Sequence, residues 1–274
     1  MSRIKSRSVL ILCLIALLLG AAYVALRLLA QPRLNNPESI VYDESGKRFL
    51  ISNTGNGKIL SLDNAGKYGV FLKQGLDKPR GLALLPSRLY VADNDKVRAI
   101  DLKTAQITAT IPIPGAKLLN DIAADHTGLL YITDTAANKL FILDPATKKV
   151  SSAASPLLQA PNGIVYDYPR RQMFIVCFQP GSPVLAYNLD QQNFSVFRTT
   201  LYDNLDGITI DDLGRIYFSS WGEASIIEIP QEQNRTLIWQ SGIPSPADIY
   251  YNRLTNEILV PLFEKNEIRR FPVD

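Results

Sequence analysis

The sequence has little cysteine and a single histidine. Of its two cysteines, Cys13 lies in an apolar N-terminal run and Cys177 stands alone in the remainder of the chain. This placement argues against an internal disulfide. The histidine, His126, lies in a polar turn, where a solvated side chain is expected. The shortage of imidazole and thiolate ligands argues against a zinc site.

An excess of charge of one sign is also absent from most of the chain. The formal net charge is +3, but residues 1–27 contain four of the 29 basic residues and no acidic residue. That leaves 25 basic side chains against 26 acidic ones in the remainder. The sequence therefore predicts no basic stripe of the kind that binds nucleic acid.

The one long apolar run lies at the N-terminus. Residues 1–8 are basic and polar, and residues 9–26 are apolar apart from small residues and Tyr23. A run of this length is just sufficient to span a bilayer as a helix, and the bases ahead of it favour a cytoplasmic N-terminus. We therefore predict a cytoplasmic tail over residues 1–8 and a signal anchor over residues 9–30. The rest of the chain would then lie on the extracytoplasmic side, periplasmic or lumenal.

A cleaved signal peptide is the alternative interpretation of the same run. Small residues at 20–22 and at 28–30 could serve as its cleavage site. Cleavage would give a secreted protein, whereas an uncleaved helix would attach the protein to the membrane. Both alternatives stay open, and both place the remaining residues across the membrane from the cytoplasm.

Amphipathic helical periodicity is missing beyond this run, and a repeated phrase is present instead. Its clearest copy is PNGIVYD at residues 161–167. The copies lie at residues 37–43, 79–84, 119–125, 161–167, 205–211 and 246–252. A spacing of about forty residues between strand-like copies is typical of propeller blades. The sequence thus predicts an all-β six-bladed propeller over residues 31–274, with blades that begin near residues 37, 79, 119, 161, 205 and 246.

Each copy opens a series of short β-rich segments separated by polar turns. Asp/Gly turns such as residues 125–128 and 211–214 favour tight hairpins, so the pattern predicts four antiparallel strands per blade. The last copy contains only three such segments. We expect residues 31–36 to supply the missing outer strand and so to close the ring.

The second residue of the phrase varies although the rest of the phrase is alike. Innermost strands line the channel of a propeller, so equivalent positions should meet around its axis. These positions hold Glu38, Arg80, Asn120, Asn162, Asp206 and Ala247. Two buried carboxylates repel each other and lose solvation, so they favour a cation between them. Carboxylate and amide oxygens suit calcium first, then magnesium or manganese.

These phrases resemble the senescence-marker-protein/gluconolactonase family of six-bladed propellers, which is related to paraoxonases and diisopropylfluorophosphatase. The resemblance extends over about residues 37–274. It implies four metal ligands in this chain: Glu38, Asn120, Asn162 and Asp206. It further implies a calcium-dependent hydrolase of lactones or related esters, in which Asp206 is the candidate catalytic base or nucleophile. Asp206 as a ligand alone stays an alternative.

The chain also departs from its relatives. A second calcium site of the paraoxonase type would use acids at the positions of Ser39 and Asp121, so only half of that site is present. The histidine pair of paraoxonases is absent as well. Activities that depend on either feature are therefore not implied.

Three side chains are candidates for substrate binding. Arg80 could bind a carboxylate or phosphate, or it could instead pair with Glu38 or Asp121. Asp121, like Asp248, could orient its neighbours in the site or simply cap the start of a strand. Trp221, together with Phe178 and Phe263, could form an apolar pocket wall or pack between blades.

Two functions are compatible with these observations. The first is the metal-dependent hydrolase of a small-molecule lactone or ester. The second is a non-enzymatic scaffold, in which the metal stabilises a propeller that binds a ligand or protein. A condensing propeller related to alkaloid synthases fits less well, because the whole set of four metal ligands is present. Substrate, oligomeric state and the identity of the ion are left open by the sequence.

Overall fold

The computed structural model describes residues 32–274, which form six antiparallel β-sheets in chain order. The first sheet contains β1 (Pro37–Asp43), β2 (Arg48–Asn53), β3 (Lys58–Asp63) and β4 (Tyr68–Leu72). The second contains β5 (Pro79–Leu85), β6 (Arg88–Asp93), β7 (Lys96–Asp101) and β8 (Ile107–Pro112). The third contains β9 (Leu119–Ala124), β10 (Leu130–Asp134), β11 (Lys139–Asp144) and β12 (Lys149–Ala154).

The second half of the chain repeats this arrangement. The fourth sheet contains β13 (Pro161–Asp167), β14 (Gln172–Cys177), β15 (Val184–Asn188) and β16 (Asn193–Arg198). The fifth contains β17 (Leu205–Ile210), β18 (Ile216–Ser220), β19 (Ser225–Ile229) and β20 (Leu237–Ser241). The sixth contains β21 (Tyr250–Asn252), β22 (Glu257–Leu262) and β23 (Glu267–Pro272). The predicted all-β six-bladed propeller is confirmed.

The predicted N-terminal tail and anchor, residues 1–8 and 9–30, lie outside the described residues. Within residues 32–274, no helix has the length and apolar character that a membrane crossing requires.

The hydrophobic core lies between the blades. Each apolar cluster combines side chains from two neighbouring sheets, since the faces of adjacent blades pack together. Tyr90 and Ile111 of the second blade, for example, share a cluster with Leu130 and Phe141 of the third. The first and last blades pack in the same way, because Leu259 joins the cluster that contains Ile40, Phe49 and Leu60. Apolar packing therefore closes the ring.

Closure differs from the expectation in one respect. Residues 32–36 form no strand, and the sixth sheet has three strands among the described residues. Asn36 has φ of 50°, which bends the chain away from an extended path. Its carbonyl accepts a hydrogen bond from Thr54 N at 3.1 Å, and its Nδ2 donates to Phe263 O at 3.1 Å. The segment thus links the first and last blades as a loop.

Glycines allow the inner strands to lie unusually close to one another. A Cβ atom added at Gly207 would lie within 3.0 Å of the backbone of Ala247, Asp248 and Ile249 in the next blade. Gly163 has the same relation to the backbone of Asp206, and Gly81 to that of Asn120 and Asp121. All three follow the variable position of the repeated phrase. Glycine at these positions sets the spacing of the inner strands.

We expect Gly207→Ala to lower the free energy of unfolding by about 1–3 kcal/mol, because the added methyl group meets backbone that cannot rotate away. Gly69→Ala in β4 is the matched control, since its methyl group would meet only the rotatable Ser61 hydroxyl. We expect that control to change the free energy by less than about 1 kcal/mol. Denaturant unfolding of both variants measures the difference. Equal stabilities would contradict the role assigned to Gly207.

Candidate functional site

A break in strand pairing places each variable residue of the phrase. The register between the first and second strands shifts between Pro37 and Ile40 in blade one and between Pro161 and Ile164 in blade four. Blades two, three and five shift at the equivalent places. A β-bulge leaves residues unpaired and redirects their side chains. The bulges therefore take Glu38, Arg80, Asn120, Asn162 and Asp206 out of the regular alternation of their strands.

Hydroxyl groups of the second strands satisfy the backbone that the bulges leave unpaired. Thr133 Oγ1 accepts from Asp121 N at 3.0 Å and donates to Asn162 O in the next blade at 2.5 Å. Ser219 Oγ likewise accepts from Gly207 N at 2.7 Å and donates to Ala247 O at 2.8 Å. Neither Thr133 nor Ser219 is among the residues predicted from the sequence to matter for the site. A hydroxyl recurring in otherwise apolar second strands (FLISN, LYITD, IYFSS) is the signal that could have found them.

The four predicted metal ligands are all buried. The exposed fraction is 7% for Glu38 and Asn120, 5% for Asn162 and 4% for Asp206. No three His, Cys, Asp or Glu side chains within residues 32–274 lie close enough together to form a metal-binding group on their own. The predicted ligands are a mixed set of two carboxylates and two amides.

Burial dominates the electrostatics of the two carboxylates. It raises the pKa of Glu38 to about 7, although the positive charge of Arg80 opposes the rise. Burial also raises the pKa of Asp206 well above its usual range, and the negative charges of Glu38 and Asp121 add to this rise. Glu38 is thus within electrostatic reach of Arg80, and Asp206 is within reach of Glu38 and Asp121. A cation among them would favour their ionised forms.

The amide of Asn120 is held in one orientation. Its Nδ2 donates a hydrogen bond to Thr135 Oγ1 at 2.9 Å, and that hydroxyl donates to Pro161 O at 2.8 Å. This arrangement uses the donor side of the amide and leaves its oxygen as the group that can face a ligand.

Asp206 carries an oxygen with no hydrogen bond. Its Oδ1 is buried and has no partner, and the same is true of the Trp221 indole Nε1. The Trp221 and Asn162 side chains partly offset the raised pKa of Asp206, so both lie close to it, but neither completes a hydrogen bond to Oδ1. A buried acceptor without a partner is costly, and a bound ion or ligand is a usual explanation. The observed residues thus fit a divalent cation.

Arg80 forms no direct ion pair. Its Nη1 is buried without a partner, and among residues 32–274 no carboxylate lies within 4.0 Å of its guanidinium. Glu38 senses the charge of Arg80 from a greater distance. The alternative of a close salt bridge to Glu38 or Asp121 is therefore not seen.

Asp121 and Asp248 are held by hydrogen bonds within the propeller. Asp121 accepts from Ile122 N at 2.7 Å and from Ile164 N at 2.8 Å, so it joins the third and fourth blades. Burial raises its pKa to about 7 despite these bonds. Asp248 accepts from Ser39 Oγ at 2.7 Å and so joins the last blade to the first. These contacts join neighbouring blades of the propeller.

Both aspartates also line a cavity of about 710 Å³ at the other end of the channel. Its walls are the carboxyl ends of the inner strands, including Tyr42, Tyr166 and Tyr250. The ring residues lie at the amino ends of the same strands. Asp121 therefore faces away from the side on which Trp221 lies.

Three half-buried aromatic rings form a wall near Asp206. The centroid of Trp221 lies 5.7 Å from that of Phe178 and 6.0 Å from that of Phe263. All three rings come from loops after second strands, where our sequence analysis placed a pocket wall. An apolar wall beside polar groups is typical of small-molecule sites.

Comparison with known proteins agrees with this architecture. Residues 36–252 match the model of the SMP-30/Gluconolactonase/LRE-like region. No functionally curated protein shows significant similarity to the chain.

Similar solved structures carry diverse functions. A gluconolactonase from Xanthomonas campestris is 13% identical with a TM-score of 0.75, over 88% of this chain and 87% of that one. A virginiamycin B lyase from Staphylococcus aureus is 14% identical with a TM-score of 0.70, over 87% and 80%. A chain of a nidogen/laminin complex is 17% identical with a TM-score of 0.68, over 82% and 93%. These structures share the fold alone, but the family model spans most of the chain, so the protein belongs to the SMP-30/gluconolactonase/LRE-like family.

Proposed function

We propose that this protein is a divalent-metal-dependent hydrolase of lactones or related esters, with calcium as the first choice of ion and magnesium or manganese as alternatives. One observation carries the proposal: Asp206 Oδ1 is buried without a hydrogen-bond partner among side chains that supply only oxygen ligands for a hard cation. Membership of the family supports a reaction of this type.

Glu38, Asn120, Asn162 and Asp206 would hold the ion. Two carboxylates balance the charge of one divalent cation, and two amide oxygens add neutral ligands. The Thr135 hydroxyl keeps the Asn120 oxygen available by bonding the other side of the amide. When bound, the cation would polarise the substrate carbonyl and stabilise the charge that develops on its oxygen.

Asp206 is the candidate catalytic group. As a general base, its carboxylate would accept a proton from the attacking water while the water oxygen bonds to the carbonyl carbon. The ester C–O bond then breaks, the leaving oxygen gains a proton, and a hydroxy acid is released. As a nucleophile, Asp206 would itself bond to that carbon before water replaces it. Phe178, Trp221 and Phe263 would provide an apolar surface beside the reacting group and limit its contact with bulk water.

Calcium binding is tested by tryptophan fluorescence. The chain has two tryptophans, so Trp239→Phe leaves Trp221, beside Asp206, as the only one. In that background we expect Glu38→Gln to weaken calcium binding by about 10-fold or more. Substitution of residues that only contact metal ligands already weakens binding by about 10- to 100-fold. Asp212→Asn, at an exposed ion pair with Arg253, is the control and should bind as the parent does. Unchanged affinity in Glu38→Gln would refute the assigned site.

Glu38→Gln should also change the free energy of unfolding, and the direction of the change should depend on calcium. Without calcium, Glu38→Gln removes a buried carboxylate that repels Asp206, so its free energy of unfolding should equal or exceed that of the parent. With calcium, the parent should gain stability by mass action and the variant should not. Denaturant unfolding with and without a chelator measures both effects. A Glu38→Gln variant that loses stability even without calcium would indicate a structural role for Glu38.

Catalysis is tested with lactones and aryl esters. We expect turnover that stops on chelation and returns with calcium, magnesium or manganese. Asp206→Asn should lower kcat by about 10²- to 10⁴-fold, because it removes the proton acceptor. Metal affinity of Asp206→Asn, measured in parallel, separates a catalytic role from that of a ligand alone. Calcium binding with no turnover of any ester would instead support the non-enzymatic scaffold.

A further inference from the structure

Several arginines elsewhere in the propeller form ion pairs with aspartates of their own blade. Arg48 bonds to Asp43 at 3.0 Å, Arg98 bonds to Asp93 at 2.9 Å, and Arg215 bonds to Asp211 at 2.5 Å. In each of these pairs the carboxylate is buried and the arginine lies along its own blade. In these three pairs a buried carboxylate accepts the hydrogen bond of the guanidinium.

Among the described residues, Arg80 has no such partner, although the charge of Glu38 is within its electrostatic reach. Arg80 is half-buried, and its Nη1 is buried without any hydrogen-bond partner. Among residues 32–274, Arg198 Nε in the fourth blade is also buried without a partner, but Arg198 does not occupy a ring position. Glu38 feels its charge but forms no ion pair with it, and both oxygens of Asp121 already accept backbone hydrogen bonds. A buried charged donor left unsatisfied is more costly than an unmade neutral hydrogen bond. The missing partner of Arg80 is therefore expected to come from a ligand.

Arg80 occupies the same ring of positions as the predicted metal ligands, and its charge acts on Glu38. Arg80 occupies the bulge of β5, equivalent to the bulges that hold Glu38 and Asn120 in the neighbouring blades. A guanidinium presents a planar fork that matches an oxyanion such as carboxylate or phosphate. With a divalent cation balanced by the carboxylates of Glu38 and Asp206, the Arg80 guanidinium would leave one positive charge, which a singly charged carboxylate matches better than a doubly charged phosphate.

We propose that the substrate carries a carboxylate in addition to the lactone or ester group, and that Arg80 binds this carboxylate. The proposal rests on the hydrolase function proposed above and narrows its substrate class to anionic lactones or esters. Arg80 acts on specificity, since it binds a part of the substrate that does not react.

Binding is measured by calorimetry on the calcium-loaded full chain, with tetrahydrofuran-2-carboxylate and tetrahydrofuran-2-carboxamide as probes. The two probes have almost the same shape and differ in charge. We expect the carboxylate to bind about tenfold or more tightly than the amide, as a charge-assisted hydrogen bond predicts. Arg80→Met should abolish this preference, and Arg80→Lys should restore it in part because lysine keeps the charge but loses the fork.

Two controls separate binding from folding. Arg88→Met, at an exposed position of the same blade, should keep the full preference. Arg80→Met should unfold at the same denaturant concentration as the parent or a higher one, because it breaks no ion pair. Equal binding of the two probes, no carboxylate binding at all, or a preference that survives in Arg80→Met would each overturn the proposal.

Turnover distinguishes failure of this proposal from failure of the proposed function. The substrates are 5-oxotetrahydrofuran-2-carboxylate and its carboxamide, which share one lactone ring. Faster turnover of the carboxylate, lost in Arg80→Met, supports both proposals. Equal turnover of both lactones keeps the hydrolase and overturns the role of Arg80. No turnover of either lactone, with the Arg80-dependent preference intact in calorimetry, overturns the hydrolase and keeps the carboxylate site.

Discussion

The close approach of neighbouring inner strands is the constraint on which the site depends. Glycines at 81, 163 and 207 leave room only for backbone beside the next blade, and the Thr133 and Ser219 hydroxyls bridge the remaining gaps. Strands held this near the axis bring the residues of their bulges into one buried channel. Polar side chains placed there lose their hydration and must interact with one another or with a ligand.

The acids of the channel divide into two groups by their partners. Asp121 and Asp248 accept hydrogen bonds from backbone and Ser39, and each joins two blades. Glu38 and Asp206 have no comparable partner among the described residues: the Trp221 and Asn162 side chains lie close to Asp206, but neither completes a hydrogen bond to its Oδ1. Burial raises the pKa of all four, so a raised pKa by itself does not mark a functional acid. The hydrogen bonding distinguishes the two groups better, because acids that accept hydrogen bonds from neighbouring blades already have a structural role.

The sequence was sufficient for the fold and for the positions of the candidate ligands. A period near forty residues identifies the blades, and equivalent places in a repeat must lie at equivalent places in the ring. The local geometry could not be predicted from the sequence. The left-handed conformation of Asn36 turns an expected strand into a loop, and the bonds of Asp121 to the fourth blade depend on contacts between blades. The missing partner of Arg80 likewise depends on distances across the channel, which no spacing along the chain determines.

Function in this fold has to be argued from such individual side chains. The gluconolactonase, the virginiamycin B lyase and the chain of the nidogen/laminin complex share the architecture at under 20% identity. The fold alone therefore does not determine a reaction. In this chain, three of the buried polar atoms without a hydrogen-bond partner among the described residues belong to Arg80, Asp206 and Trp221. Marginally stable proteins retain such groups when binding a ligand compensates for them. The unpartnered acceptor on Asp206 and the unpartnered donor on Arg80 are the atoms that the proposed metal ion and the proposed substrate carboxylate would satisfy.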